Sequence, residues 1–199
     1  MTIETKTRAT AVVGQAGDGE TEQAIACLTA AFETDPPVRW LYPELSQYHS
    51  HFPDFVRAFA GHAITNGTLQ VTEGGAALWI APGDEPDEAA IGEVVERTIP
   101  DARNEDVFSV FEAMDEFHID EPHWYLPLMG VIPSRQGRGL GSALMHRVLQ
   151  ICDSEGVPAY LEATTDRSRV LYIRHGFKGL GKIEVAGCPV IYPMVRHPQ

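Results

Sequence analysis

Apolar positions recur with the period of an amphipathic helix in several segments of the chain. The clearest early case is 21–32, where apolar residues lie three or four positions apart behind an acidic first turn. Leu140 to Cys152 carries an equally regular apolar face, and Gly156 follows where a helix would end. The same spacing predicts further helices over 50–65, 84–99, 105–117 and 166–176.

Other runs have the composition of strands. Two short apolar runs on either side of Glu73 to Gly75 predict a β-hairpin, and the proline-bounded run 123–133 predicts a buried central strand. Pro127 lies inside that strand, which favours a β-bulge. Further strands are predicted over 8–15, 158–164, 177–185 and 189–195. Three prolines in 34–44 predict a break between helices.

The composition is that of an ordinary globular protein: 199 residues, 44% of them hydrophobic and 22% charged. We expect one domain over 9–199 behind a flexible terminus, 1–8. No run approaches the roughly 20 apolar residues that span a bilayer, and the start lacks a secretory signal, so a cytoplasmic protein without membrane contact is expected. Three cysteines without metal-ligand spacing favour free thiols and no metal site.

Charge is distributed unevenly along the chain. The formal net charge is -13, and residues 1–120 hold 22 acidic and 6 basic side chains against 6 acidic and 9 basic ones in 121–199. An acidic protein is a poor partner for nucleic acid, which clustered lysines and arginines would bind. The mildly basic last third suits a polyanionic ligand, and the acidic part suits a neutral or cationic one, although a solvated acidic surface explains the excess equally well.

The segment "RQGRGLGSAL" places glycines at every second position where a strand gives way to a helix. The first N–H groups of a helix have no intrahelical partner, and glycines let a ligand oxygen approach the backbone, so phosphate binding is predicted here. The spacing G-x-G-x-G at Gly137, Gly139 and Gly141 fits neither a P-loop nor a dinucleotide-binding fingerprint.

The same stretch contains Q-x-x-G-x-G at Gln136, preceded by V-x-P and followed by "LYIRHGF". In this order the motifs resemble the GCN5-related N-acetyltransferase (GNAT) family, whose loop holds the pyrophosphate of acetyl-CoA. The segments "AFETDPPVRWLYP", "AALWIAP", "HWYL" and "GVPAYLEAT" are similar to the branch that contains puromycin N-acetyltransferase. The resemblance implies an α/β fold with a mixed, mostly antiparallel sheet of about seven strands, flanked by helices and splayed between its two central strands.

The resemblance also implies roles for individual residues. Tyr172 would be the general acid that protonates the departing CoA thiolate, and Ser168 stands where many members have an asparagine that binds CoA. The expected acetyl-CoA ligands lie on the strand end, in the glycine loop and on the following helix: Met129, Gly130, Val131, Gln136, Gly137, Arg138, Gly139, Leu140, Gly141, Ser142 and Ser168.

Acetyl transfer to an amine requires a base, since an alkylammonium must lose its proton before it attacks. Glu162, at the end of a predicted strand, is the best-placed carboxylate, with a surface or ion-pair role as the alternative; His123 is a weaker candidate. For the acceptor, a cationic amine with an apolar or aromatic body, the expected contacts are Phe32, Asp35, Trp40 and Tyr125.

We therefore predict an acetyl-CoA-dependent N-acetyltransferase acting directly on a primary amine of a small molecule, as a monomer or homodimer. Two alternatives stay open at this point. One is a protein N-terminal or lysine acetyltransferase, and the other is a domain that binds or senses acyl-CoA without turnover. A fold resemblance cannot choose the acceptor.

Overall fold

The computed structural model describes residues 14–15, 19–185 and 187–199. Their helices are α1 (Thr21–Phe32), α2 (Pro36–Leu41), α3 (Leu45–Thr65), α4 (Glu88–Thr98), α5 (Asp101–Asp115), α6 (Leu140–Glu155) and α7 (Asp166–Arg174). All helices predicted from the apolar period are present, and α1 has the predicted bounds. Gly156 ends α6 in the left-handed conformation, as its position predicts.

The strands are β1 (Gly14–Gln15), β2 (Gln70–Thr72), β3 (Gly75–Ile80), β4 (Trp124–Val131), β5 (Ala159–Ala163), β6 (Lys178–Gly179) and β7 (Tyr192–Arg196). They form one sheet in the order β1-β2-β3-β4-β5-β7-β6. Only the β4–β5 pair is parallel among these strands. The expected mixed, mostly antiparallel sheet with flanking helices is confirmed; the count of about seven holds only when the two-residue strands β1 and β6 are included.

Two local predictions were wrong. The proline-rich 34–44 contains α2 rather than only a break, because Asp35 caps the helix and the prolines occupy its first turn, where no N–H is needed. The predicted strand 177–185 is reduced to β6 and an isolated bridge at Ile183, since glycines interrupt the run and Leu180 is exposed. The terminus 1–8 and most of the predicted strand 8–15 lie outside the described residues.

The central strands part near Pro127. Leu78 faces Leu128 but Ile80 faces Tyr125, so β4 carries one extra residue opposite β3, as expected of a bulge at the proline. Ladder pairs between β4 and β5 end at Leu126, and the last five residues of β4 have none with β5. The sheet therefore opens between its two central strands.

Helix α1 packs directly across the open end of β4. A Cβ atom added to Gly130 would lie 2.5 Å from the Cβ of Ala31, so only glycine allows this approach. The buried residues of α1 and α3 continue this packing into one apolar cluster against β3 and β4. In the part of the chain that the structure describes, no helix is long and apolar enough to cross a membrane.

Candidate active site

A cleft of about 560 Å³ occupies the gap between β4 and β5. Its walls come from the end of β4, the glycine loop, α7 and the connection from α1 to α2. The residues predicted from the sequence to bind or react line it, apart from Arg138 and the weaker candidate base His123: Phe32, Asp35, Trp40, Tyr125, Met129, Gly130, Val131, Gln136, Gly137, Gly139, Leu140, Gly141, Ser142, Glu162, Ser168 and Tyr172. The fold thus brings together residues separated by more than a hundred positions in sequence.

The glycine loop has the backbone that its sequence predicts. Gly137 and Gly139 have φ of 76° and 85°, in the left-handed region that other residues avoid. Gly139 is the N-cap of α6, and no side chain caps this helix start, so its first N–H groups are available to a ligand. These amides and the positive end of the helix dipole suit the phosphates of acetyl-CoA.

Gln136 holds the loop against the strand. Its Nε2 donates to the carbonyl of Val131 at 3.0 Å, and its Oε1 accepts from Arg167 at 2.5 Å. Arg167, at the start of α7, also lines the cleft, as do Arg135 and Arg174. Positively charged side chains from α7 and from the turn before the glycine loop therefore line the cleft, and Arg135 is also ion-paired with Glu73.

Ser168 and Arg138 are placed less directly for ligand binding. The Ser168 hydroxyl donates to the carbonyl of Thr165 at 2.8 Å and accepts from its amide, completing a capping box at the start of α7. Ser168 lines the cleft, but its hydroxyl already serves the helix cap. Arg138 is exposed, with a long 3.5 Å contact to the carbonyl of Ser134.

Tyr172 projects from the middle of α7 into the cleft and is 6% exposed. Burial raises the pKa of its phenol above the ordinary value, and the negative charges of Asp35 and Glu162 raise it further. The phenol consequently keeps its proton throughout the neutral and mildly alkaline range. A protonated group beside the glycine loop fits the general-acid role that the resemblance implies.

Asp35, at the start of α2, is a buried carboxyl that lines the cleft and is 8% exposed. It accepts hydrogen bonds from the hydroxyl of Thr164, at the end of β5, and from the amide of Val38, at 3.2 Å. Burial raises the pKa of Asp35, while these two hydrogen bonds oppose the shift. No arginine, lysine or histidine of the described residues forms an ion pair with it.

Glu162, on β5, lies two residues before Thr164, the hydrogen-bond partner of Asp35. The carboxyls of Glu162 and Asp35 both line the cleft. Its side chain is 4% exposed, and its Oε1 is 3.6 Å from Nε2 of His118. That oxygen has no hydrogen bond within the described part of the chain. The charge of Glu162 also raises the pKa of the Tyr125 and Tyr160 phenols, second in effect to their burial.

Apolar side chains line the cleft together with the carboxyls of Asp35 and Glu162. Phe32 and Trp40 line it from the α1–α2 region, and Phe111 and Met114 line it from α5. The guanidinium of Arg103 lies 4.8 Å from the centre of the Trp40 ring. Trp40 therefore has a structural contact as well as a face toward the cleft.

Sequence reasoning missed His118, Thr164 and the cleft arginines Arg167 and Arg174. No local pattern distinguishes them, because each acquires its neighbours only when distant segments meet. Within residues 14–15, 19–185 and 187–199, no group of three or more histidine, cysteine or acidic residues could hold a metal ion. The three cysteines are free thiols.

Comparison with known proteins agrees with this geometry. The model of the acetyltransferase (GNAT) family matches residues 42–177, and this chain belongs to that family. The mycothiol acetyltransferase of Beutenbergia cavernae is 32% identical over 134 residues, which cover 61% of this chain and 38% of that protein. The chain spans less than two fifths of the length of the curated relatives it matches.

Solved structures share the fold along almost the whole chain. The "histone acetyltransferase HPA2 and related acetyltransferase" of Corynebacterium glutamicum has a TM-score of 0.66 at 24% identity, covering 96% of this chain and 97% of the other. The polyamine N-acetyltransferase of Drosophila melanogaster has a TM-score of 0.63 at 19% identity, covering 94% and 99%. At such identities the likeness establishes the fold alone.

Proposed function

We propose that this GNAT acetyltransferase transfers an acetyl group from acetyl-CoA directly to a primary amine of a small molecule. One observation carries the proposal: a single cleft is lined both by arginines beside the glycine loop and on α7 and by two buried carboxyls. The arginines are Arg135, Arg167 and Arg174, and the carboxyls are Asp35, at the start of α2, and Glu162, on β5. A polyanionic co-substrate would be attracted to the arginines and a cationic acceptor to the carboxyls of the same cleft.

The glycine loop would bind acetyl-CoA. The amides from Gly137 to Ser142 would receive the pyrophosphate at the start of α6, with Leu140 and Gly141 in the first helical turn. Arg138, exposed beside the loop, would add charge attraction, and Ser168 would contact CoA only through water because its hydroxyl serves the α7 cap. The open edge of Met129 to Val131 would pair with the pantetheine arm, as one strand pairs with another.

The acetyl carbon would lie between Tyr172 and Glu162. Glu162 would take a proton from the acceptor ammonium, and the freed amine would attack the thioester carbonyl. Backbone N–H near Val131 would stabilise the oxyanion, and Tyr172 would protonate the thiolate as the C–S bond breaks. The second proton of the attacking nitrogen would then return to Tyr172, which leaves a neutral amide and a neutral phenol. The transfer would be direct, since no cysteine has a histidine partner that would activate it for a covalent intermediate.

The acceptor would be a cationic amine with an apolar or aromatic body. Phe32, Trp40 and Tyr125 would contact the body, and the unpaired buried carboxylate of Asp35 would attract the ammonium group. Solved structures of the same fold include a polyamine N-acetyltransferase, which supports a small-molecule acceptor without identifying it. The puromycin-like branch, the single domain over 9–199, the cytoplasmic location and the monomeric or homodimeric state stay predictions.

A panel of acceptors assayed for CoA release tests the proposal. It would contain arylalkylamines, polyamines, acidic amino acids, and peptides with a free N-terminus or lysine, each with wild-type protein and the Tyr172→Phe variant. We expect apolar or aromatic amines to react fastest, and the reaction to depend on Tyr172. Peptides as the best acceptors would favour the protein acetyltransferase, and acetyl-CoA binding without turnover of any amine would favour a sensing domain.

A further inference from the structure

We propose that His118 is a positioning residue for Glu162. It holds the Glu162 side chain in the cleft, and it passes the proton that Glu162 takes from the acceptor on to solvent. The inference rests on the proposed function, because it assigns the route by which that reaction loses its proton. It concerns a residue that no motif of the sequence singles out.

The first support is the contact between the two side chains. His118 Nε2 lies 3.6 Å from Glu162 Oε1, and no other charged side chain in the described part of the chain forms an ion pair with this glutamate. The Glu162 side chain is 4% exposed while that of His118 is 26% exposed. The carboxylate thus faces the cleft from a buried position, and the imidazole connects it to the protein surface.

The second support is the packing behind the carboxylate. The ring centres of Tyr125 and Tyr160 lie 4.7 and 4.5 Å from that of His118, and that of His123 lies 5.5 Å away. These rings pack around the imidazole, and His118 is the basic side chain of the described residues that has an ion-pair contact with the Glu162 carboxylate, so it is the proton acceptor that this route uses. This packing also fixes the His118 ring, which comes from the loop after α5.

The ionisable groups around His118 come from several elements. Tyr125 precedes the bulge of β4, and Tyr160 lies on β5. Burial and then the charge of Glu162 raise the pKa of both phenols, so both stay protonated at neutral pH and neither is a base for the proton on Glu162. Nδ1 of His123 is 2.9 Å from the carbonyl of Glu121, and burial lowers the pKa of His123. Asp115, at the end of α5, acts on Tyr160 through its charge. Of these groups, His118 alone has an ion-pair contact with Glu162.

The proton balance of the reaction requires a route by which one proton leaves the cleft. An ammonium acceptor must lose two protons to become an amide, and the thiolate takes up one of them through Tyr172. The other must leave the cleft, so one proton is released per acetyl group transferred. Glu162 would receive it from the ammonium, His118 would receive it from Glu162, and solvent would receive it from His118.

Chemical rescue tests the route. We expect His118→Ala to lower kcat by about 10², the lower end for a general acid–base group, with an unchanged Kd for acetyl-CoA. Added imidazole should restore part of the rate, increasingly so as pH rises and imidazole loses its proton. His62→Ala, at an exposed position of α3, is the matched control and should show neither the loss nor the rescue.

Two further variants separate the proton route from folding. His118→Gln preserves side-chain size and hydrogen bonding and should lose kcat to a similar extent, with thermal unfolding near that of wild type. In a Glu162→Gln background, His118→Ala should cause little further loss, and imidazole should have no effect, because the carboxylate that feeds the route is absent.

Wild-type kcat and an unchanged pH profile in His118→Ala would overturn the proposal. A folded His118→Ala variant that imidazole fails to rescue would also overturn it, because a purely structural role gives that result. Wild-type turnover is measured in the same assay, so an enzyme that acetylates no amine would refute the proposed function instead.

Discussion

Replacing Asp35 by asparagine tests two expected effects of its buried, unpaired carboxylate: a loss of stability at neutral pH and the attraction of the acceptor's ammonium group. The side chain is the N-cap of α2 and accepts from the amide of Val38, which an asparagine oxygen would also do. The asparagine NH₂ can donate to the hydroxyl of Thr164 in place of the present bond. The substitution therefore removes the negative charge while keeping the local hydrogen bonds.

The sign of the stability effect follows from the pKa of Asp35, which burial raises above its ordinary value of 3.8. Below the ordinary value both the folded and the unfolded chains hold the proton, and no charge is buried on folding. As pH rises above 3.8 the unfolded chain ionises while the folded state still holds the proton, so the protein loses stability until pH exceeds the raised pKa, above which the loss is complete. Each unit of displacement corresponds to about 1.4 kcal/mol.

Asp35→Asn should accordingly stabilise the protein at pH 7, and the gain should disappear as pH falls below about 4. For a chain of this length, 1 kcal/mol raises Tm by roughly 2–4 °C. The same change should raise the acceptor KM about tenfold to a hundredfold, because a charge-assisted hydrogen bond contributes about 1.5–3 kcal/mol. The KM for acetyl-CoA should not change.

Thermal and urea unfolding between pH 4 and 8, together with kinetics in both substrates, measure these effects. Asp87→Asn is a matched control, since Asp87 is the exposed N-cap of α4 and accepts from the amide of Ala90 at 2.9 Å. It should change neither stability nor KM appreciably. A destabilised Asp35→Asn protein, or one with a wild-type acceptor KM, would refute the reasoning.

The remaining predictions concern the glycine loop, Tyr172 and Trp40. Gly139→Val should abolish acetyl-CoA binding in calorimetry while the fold survives, because a β-branched residue is strained at φ of 85° and blocks the loop; unchanged affinity would remove the loop from the site. Tyr172→Phe should lower kcat by about 10² to 10⁴ with little change in the Kd for acetyl-CoA. The kcat of the wild-type enzyme should not fall between pH 8 and 10, since the raised pKa of Tyr172 keeps the proton on the phenol. Near-wild-type turnover of the variant, with chemistry rate-limiting, would exclude Tyr172 as the acid. Trp40→Ala should raise the acceptor KM more than the KM for acetyl-CoA, and equal effects would indicate a packing role alone.

Elements whose signals are local could be predicted from the sequence. Helix α1 follows from its apolar period and acidic first turn, and α6 follows from its apolar face and the glycine that ends it. The glycine loop was predictable for the same reason, because its unusual backbone requires glycine at fixed positions such as Gly137 and Gly139. The hairpin of β2 and β3 likewise depends on a turn between adjacent segments.

The features that were missed depend on contacts between distant segments. Asp35 and Thr164 are 129 positions apart, so neither their hydrogen bond nor the burial of the carboxyl is visible in a local pattern. The contact of His118 with Glu162 likewise arises only when the loop after α5 closes over β5. Helix α2 was missed because three nearby prolines indicate a break unless the capping role of Asp35 is known.

Pro127 connects the architecture of the sheet with the chemistry of the cleft. A proline has no N–H to donate, and the β4–β5 ladder ends one residue before it, at the pair of Leu126 with Leu161. Glu162 is the next residue along β5, so the first position beyond the last pair is the proposed base. The same opening leaves the edge of β4 from Leu128 onward without a ladder partner on the β5 side, where an extended ligand arm could pair. In the proposed reaction, the point at which pairing stops would therefore determine both where the acyl donor lies and where the base for the acceptor amine stands, although the proline itself carries no reactive group.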